Sequence, residues 1–336
     1  MYKKMPKISQ ILNWATETLQ KTNINSANLD AEILLFSILK KDKSFIFTHP
    51  ELELTKTQTA KHKRFIARRA KGEPVAYILG QKEFFGLDFV VNKNVLIPRP
   101  ETELMADEVV KLVSKYPVSK CQSFLFIDVG TGSGCIPISV LNELRIMNYE
   151  LSIKTIATDV SVAALKVAQK NARRHGLTKK IKFIKSNLLE KIHNSLYIIP
   201  NSKIVITANL PYLPDKIYKE NYTNLKFEPR LALVAKKNGL ALYEKLLKQV
   251  AGYPPLSKGR RGGVVIGNNN HPLRLLSETP PSKGGDKTQV TILLEILPFQ
   301  KPTLTKLIKK HLPGADVKFK KDLAGKWRVA VIDVKI

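Results

Sequence analysis

The chain has 336 residues, 43% of them hydrophobic and 25% charged, which is enough for a packed core and, at this length, for two domains. Lys and Arg total 56 against 28 Asp and Glu, a formal charge of +28 that points to a polyanionic or acidic partner, although only 12 of the 56 are Arg and the Lys are scattered. Two Cys (Cys121 and Cys135), no Cys/His cluster at ligand spacing and no run of eighteen apolar residues exclude disulfide scaffolds, metal centres and membrane spans, so a reducing cytoplasm is expected.

From Ile8 to about Lys71 apolar residues recur at helical spacing (Ile8, Ile11, Leu12, Ala15, Leu19; Ala31, Leu34, Leu35, Ile38; Phe65, Ile66, Ala70). This predicts a small all-α N-terminal domain of four or five helices over residues 1–75, with Ser9 and Asp30 as helix starts. Between Gly80 and Pro100 the run EFFGLDFVVNKNVLIP, rich in Phe and Val and broken at Gly86, predicts a β-hairpin linker over 76–102. Residues 103–336 then form the larger domain. After Ser123, FLFIDVG, IKTIATDV, IKFIKSN and KIVITANLPY alternate with helical segments, the signature of an α/β, doubly wound, mostly parallel sheet. One helix is bounded by Ser161 as cap and Gly176 as stop, with Ala164, Leu165, Ala168 and Ala172 on one face. Residues 253–288 contain two near-copies of a Pro-Ser-Lys-Gly unit and read as a low-complexity insert. VTILLEIL resumes the sheet, and DVKFKKDL with WRVAVIDV predicts an antiparallel C-terminal hairpin across Ala324-Gly325.

The densest chemical signal is Asp128-Val129-Gly130-Thr131-Gly132-Ser133-Gly134 between a strand and a helix. Its glycines let the backbone approach a ligand, and the helix start offers free N–H groups; the G-x-G-x-G spacing differs from the G-x-G-x-x-G of dinucleotide sites and disfavours a pyrophosphate. Asp159 ends the next strand, where a carboxylate can accept both ribose hydroxyls of a nucleoside, and Asn187 follows the third, placed for an adenine edge. Asn209-Leu210-Pro211-Tyr212 ends the fourth. Asn209 Oδ1 and the carbonyl of Leu210 can accept both hydrogens of a planar NH2 group and aim its nitrogen at an electrophile, with Tyr212 packed against the plane. No general base is evident, and His175 and His193 are expected at the surface.

Together these elements resemble the class I S-adenosylmethionine-dependent methyltransferases, with a Rossmann-like fold. Gly72-Glu73-Pro74, Tyr77-Ile78-Leu79-Gly80, Glu83-Phe84-Phe85-Gly86-Leu87, Ile97-Pro98-Arg99-Pro100-Glu101-Thr102-Glu103 and Phe227-Glu228-Pro229-Arg230-Leu231-Ala232-Leu233 narrow the resemblance to the PrmC/HemK family of release-factor glutamine methyltransferases. The resemblance implies that Asp128 and Gly130 to Gly134 hold the methionine part of S-adenosylmethionine, Asp159 the ribose, and Asn187 with Leu188 the adenine. It implies that Asn209, Leu210, Pro211 and Tyr212 grip a substrate glutamine, that of the Gly-Gly-Gln motif of release factors, with Asn209, Pro211 and Tyr212 serving catalysis and no metal required. The sequence departs from the family at Asn187, where the family has Asp; at Leu210, where it has Pro; and at Leu297, where it has Gly.

The same planar NH2 recognition serves an adenine of ribosomal RNA or DNA, or a glutamine of a ribosomal protein, and a partner-binding homologue without catalysis is a third reading. The basic surface suits an acidic release factor and leaves a ribosome-proximal or nucleic-acid contact as an expectation. No membrane contact is expected.

Overall fold

Five helices precede the first strand in the computed structural model, which describes residues 5–115, 123–148, 153–192, 202–252 and 289–335. They are α1 (Ile8–Gln20), α2 (Ala27–Leu39), α3 (Lys43–Thr48), α4 (Lys56–Ala70) and α5 (Val75–Leu79). Ala15, Leu19, Ala31, Leu34, Phe65, Ile66 and Ile78 of α1, α2, α4 and α5 interlock in one core, and Ile46 of α3 packs with Ile8, Ile11 and Leu35 in a second. Both expected helix starts need correction. Helix α1 begins one residue before Ser9, where the Lys7 N–H is capped by Gln10 Oε1 at 3.0 Å. Asp30 lies inside α2 and is buried, accepting from Arg69 Nε of α4 at 2.7 Å and from Ser26 Oγ at 2.8 Å. Its burial follows from that pairing, because a buried carboxylate is tolerated only when charge and hydrogen bonds compensate it.

Strands β1 (Gln81–Phe84) and β2 (Leu87–Val90) pair antiparallel around Phe85-Gly86, whose φ angles of 53° and 71° suit a two-residue hairpin turn. A 3-10 turn at Pro100–Thr102 leads into α6 (Glu103–Ser114). The main sheet follows, with β3 (Ser123–Val129), α7 (Cys135–Ile146), β4 (Ile153–Asp159), α8 (Val162–Arg174), β5 (Ile181–Lys185) and β6 (Ser202–Ala208). Next come α9 (Asp215–Glu220), α10 (Tyr222–Leu225), a 3-10 turn at Arg230–Ala232, α11 (Ala241–Ala251), β7 (Gln289–Glu295), α12 (Lys301–His311), β8 (Asp316–Lys321) and β9 (Trp327–Lys335).

The strand order is β5-β4-β3-β6-β7-β9-β8, with β9 antiparallel to both neighbours and the other pairings parallel. The doubly wound sheet and C-terminal hairpin expected from the sequence are thus present. One face packs against Leu246, Leu247 and Val250 of α11 and Leu304 and Ile308 of α12. The other packs against Met105 and Val109 of α6 and Ile138 and Val140 of α7. Chain order runs outward from β3 in one direction and from β6 in the other, so the crevice above these adjacent strands is the topological switch point where ligands bind in such sheets. The insert expected at 253–288, with His193 and Cys121, lies outside the described residues.

Candidate active site

A cavity of about 340 Å³ opens at this switch point. Gly130, Thr131, Gly132 and Ser133 form its floor, and Asp159, Asn187, Leu188, Asn209, Leu210 and Pro211 stand around it. Its far wall comes from Val95, Leu96, Pro98, Arg99 and Thr102, and from Pro229, Leu231 and Ala232. Of the residues singled out by the sequence for the site, Asp128, Gly134 and Tyr212 do not line it.

Three N–H groups of the glycine loop are tied to the end of β4. The N–H groups of Gly130 and Thr131 both donate to Thr158 O at 2.8 Å, and Gly132 N–H donates to Asp159 Oδ2 at 2.9 Å. Asp159 Oδ1 accepts from Ser161 N–H at 2.8 Å, and Ser161 Oγ in turn caps α8 by accepting from Ala164 N–H at 3.1 Å. Burial raises the Asp159 carboxyl from its ordinary value, and these N–H donors pull it back. Gly132 has φ +55°, and a Cβ there would meet nothing nearer than Gly130 O at 4.0 Å, so the loop leaves an open cradle. Asp128 is buried, accepts from Thr207 Oγ1 at 2.7 Å across the β3–β6 ladder, and is pushed up to about 6 by desolvation. The Thr131 and Thr207 hydroxyls oppose that rise.

At the end of β5, Asn187 donates from Nδ2 to Glu190 Oε1 at 3.0 Å, which leaves its Oδ1 as a free acceptor. At the end of β6, Asn209 donates from Nδ2 to Thr102 Oγ1 at 3.1 Å, and Thr102 gives its own proton to Glu295 Oε2 at 2.7 Å. The Tyr212 hydroxyl donates to Glu295 Oε1 at 2.9 Å, which anchors the end of the Asn209–Tyr212 segment. The Tyr212 carbonyl accepts from Gln300 Nε2 at 2.9 Å.

Sequence reasoning passed over three residues of this scaffold. Asn171, fully buried on α8, accepts from Val90 N–H at 2.7 Å and donates to Val90 O at 3.0 Å and Ser133 O at 2.9 Å, joining the hairpin to the glycine loop. Glu228 accepts from Ile97 N–H at 3.1 Å and from the Arg99 guanidinium, which closes the far wall. Thr102 lay inside the Ile97–Glu103 stretch, yet only its place beside Asn209 and Glu295 shows what it does. Glu103 accepts from Phe85 N–H at 3.0 Å, and Glu101 is exposed. His175 is half-buried, with Nε2 3.0 Å from Asp88 O.

A family model described as the PrmC N-terminal domain matches residues 10–80, and one described as a methyltransferase domain matches residues 123–252. A release factor glutamine methyltransferase of Koribacter versatilis is 36% identical over 248 residues, covering 72% of this chain and 81% of its own. The chain belongs to the release factor glutamine methyltransferase family. A second member, from Coxiella burnetii, is 36% identical over 225 residues, covering 67% of this chain and 74% of its own. A bifunctional methyltransferase of Rickettsia typhi is 36% identical over 255 residues, 72% of this chain and 47% of its own, so the chain spans about half the length of that relative.

The departures from the family pattern have local explanations. Leu297 has φ −86° and ψ 146°, ordinary extended backbone that needs no glycine. Leu210 is buried in the core, its Cδ2 2.9 Å from where a Cβ on Gly130 would stand, so it fills the space beside the family's glycine loop. Asn187 keeps an acceptor oxygen free, the function an Asp would supply.

Proposed function

We propose that this chain transfers a methyl group from S-adenosylmethionine to the side-chain amide nitrogen of a glutamine, that of the Gly-Gly-Gln motif in peptide-chain release factors. The observation that carries this reading is the fixed orientation of Asn209: with Nδ2 spent on Thr102, Oδ1 is the atom left to meet a substrate. The release-factor part of the reading rests on the names of the relatives from Koribacter versatilis and Coxiella burnetii.

The residues present fit the methyl donor. The open cradle at Gly132 suits its amino-acid end, Asp159 retains lone pairs for ribose hydroxyls, and Asn187 Oδ1 with the Leu188 side chain suits adenine. When bound, S-adenosylmethionine supplies an electrophilic methyl group on a sulfonium. The chain's own part is orientation. Asn209 Oδ1 and the Leu210 carbonyl accept the two hydrogens of the glutamine NH2, so its nitrogen faces the methyl group; they stabilise the positive charge that develops on the nitrogen and help draw off one of its two protons, which passes to solvent and leaves the neutral N-methyl amide. The Leu210 carbonyl receives only a long 3.5 Å contact from the Tyr243 hydroxyl, whose shorter contact is with Glu295 O, and a carbonyl has a second lone pair for this role.

Among the described residues lining the cavity, the titratable side chains are Arg99, Asp159 and Cys135. Arg99 is paired with Glu228, Asp159 with backbone N–H groups, and burial pushes the Cys135 thiol up to about 12. None is poised as a base, which suits a reaction driven by alignment. The test offers labelled donor to the chain with release factor, ribosomal RNA, duplex DNA and ribosomal proteins together. Label in the release factor, lost when its Gly-Gly-Gln glutamine is replaced, supports the reading; label in RNA, DNA or ribosomal protein overturns it.

A further inference from the structure

The geometry points to Glu295 as a positioning residue that sets which end of the Asn209 carboxamide faces the substrate, acting through Thr102. The inference rests on the glutamine reading above and deepens it, because it explains why the clamp selects an amino group, which donates, over a carboxylate or carbonyl, which accepts.

Glu295 ends β7, one strand beyond β6, and is 1% exposed. It does not line the cavity. An ionised carboxylate only accepts, so Thr102 must direct its hydroxyl hydrogen at Glu295 Oε2, 2.7 Å away. The Thr102 oxygen is then available only as an acceptor toward Asn209, and a carboxamide can satisfy it only with Nδ2, as the 3.1 Å contact records. Oδ1 is therefore presented to the cavity by a chain of donor directions that begins at a buried charge. The second carboxylate oxygen takes the Tyr212 hydroxyl at 2.9 Å, so the same group also holds the far end of the Asn-x-Pro-Tyr segment. The positive Arg328 lies in its field, and the Tyr243 hydroxyl fixes its backbone carbonyl. Desolvating a carboxylate is costly, and the two hydroxyls and the Arg328 charge are what compensate it here.

The consequence is a switchable polarity. In Glu295→Gln the carboxamide offers an N–H where one oxygen stood. When that N–H faces Thr102, the hydroxyl turns toward Asn209 and the Asn209 amide is reversed, placing a donor where the substrate amino group must be received. Thr102→Val removes the intermediary at nearly constant volume and leaves Asn209 with no fixed direction, whereas Thr102→Ser keeps the hydroxyl.

Two measurements on the full chain test this. In steady-state methylation of release factor, Thr102→Val and Glu295→Gln should each lower kcat by roughly tenfold or more, the scale of one displaced buried hydrogen bond, with donor affinity by calorimetry changed less than about twofold. Thr102→Ser should recover most of the rate, and Thr102→Val should cost little further in the Glu295→Gln background. In parallel, hydrogen exchange of the Asn209 carboxamide protons, followed by NMR without substrate, should speed up roughly tenfold in Thr102→Val and Glu295→Gln and stay near wild type in Thr102→Ser. Wild-type kcat or wild-type exchange in Thr102→Val, or a Thr102→Ser variant as impaired as Thr102→Val, overturns the inference. If the wild-type chain leaves release-factor glutamine unlabelled, the glutamine reading fails, and the exchange rates still decide the relay.

Discussion

Asp159 grips Gly132 and the start of α8 at once, taking the Gly132 N–H at 2.9 Å on one carboxylate oxygen and the Ser161 N–H at 2.8 Å on the other. The residue proposed to receive the ribose is thus also the clasp of the glycine loop. Asp159→Ala should weaken donor binding by tenfold to a hundredfold, roughly the loss of one or two charge-assisted hydrogen bonds, as read by calorimetry. Asp159→Asn should be nearly as damaging, because its NH2 would face a backbone donor. Donor affinity within twofold of wild type in both variants would remove Asp159 from the site.

The buried Asn171 makes three hydrogen bonds to two separate segments, and Ala can replace none of them. Asn171→Ala should cost about 3 kcal/mol, seen as a lower denaturant midpoint with an unchanged slope. Asn171→Asp should be worse, since a carboxylate would be set against the carbonyls of Val90 and Ser133.

Gly239 has φ +84°, and a Cβ there would fall 1.8 Å from Tyr212 O and 2.5 Å from Gln300 Nε2. The backbone passes this close because Gln300 Nε2 donates both to Tyr212 O at 2.9 Å and to Asn238 O at 2.8 Å. Gly239→Ala should therefore push the Asn209–Tyr212 segment out of place, lowering kcat at least tenfold while leaving the glycine loop and donor affinity largely intact. A crystal structure of the variant with Tyr212 unmoved and full activity would contradict this.

The pH dependence of kcat should carry the signature of Glu295. Burial raises its carboxyl, and the field of Glu101 adds to this, while the Thr102 and Tyr212 hydroxyls and Arg328 oppose it. The working form is ionised, so kcat should fall as the pH drops through a value above the ordinary glutamate range. The sign for stability is opposite: a carboxyl raised in the fold binds protons more tightly there than in the unfolded chain, so protonating Glu295 favours the fold. Activity should decline without unfolding caused by this group. Asp128, pushed up to about 6, also titrates on the acid side, and the assignment is made by Glu295→Gln, whose residual activity should lack the Glu295 limb.

Much of the architecture was legible because it follows from local pattern. Alternating apolar strands and helices specify the parallel sheet, and the Ser161 cap and Gly176 stop mark α8 closely. The glycine loop, Asp159 and the Asn209-Leu210 pair were legible as cavity-lining residues for the same reason: each lies at or just after a strand end, where the fold places ligands. What stayed hidden depends on pairing across long separations. Thr102 meets Glu295 across 193 positions and Glu228 meets Arg99 across 129, and no local periodicity encodes either. Asp30 and Asn171 have the polarity of surface residues, and only their partners on other elements make burial affordable. Tyr212 carries a contact of the same kind: its hydroxyl meets Glu295 across 83 positions, which no reading of the strand end shows.

The most direct test of the account is a fragmentation mass spectrum of the release-factor peptide bearing the Gly-Gly-Gln motif, after incubation with this chain and S-adenosylmethionine. The account predicts one added methyl group located on the glutamine side-chain nitrogen, absent when Asn209→Ala replaces the wild-type chain. An unmodified glutamine, or a methyl group placed on any other residue of the peptide, would contradict it.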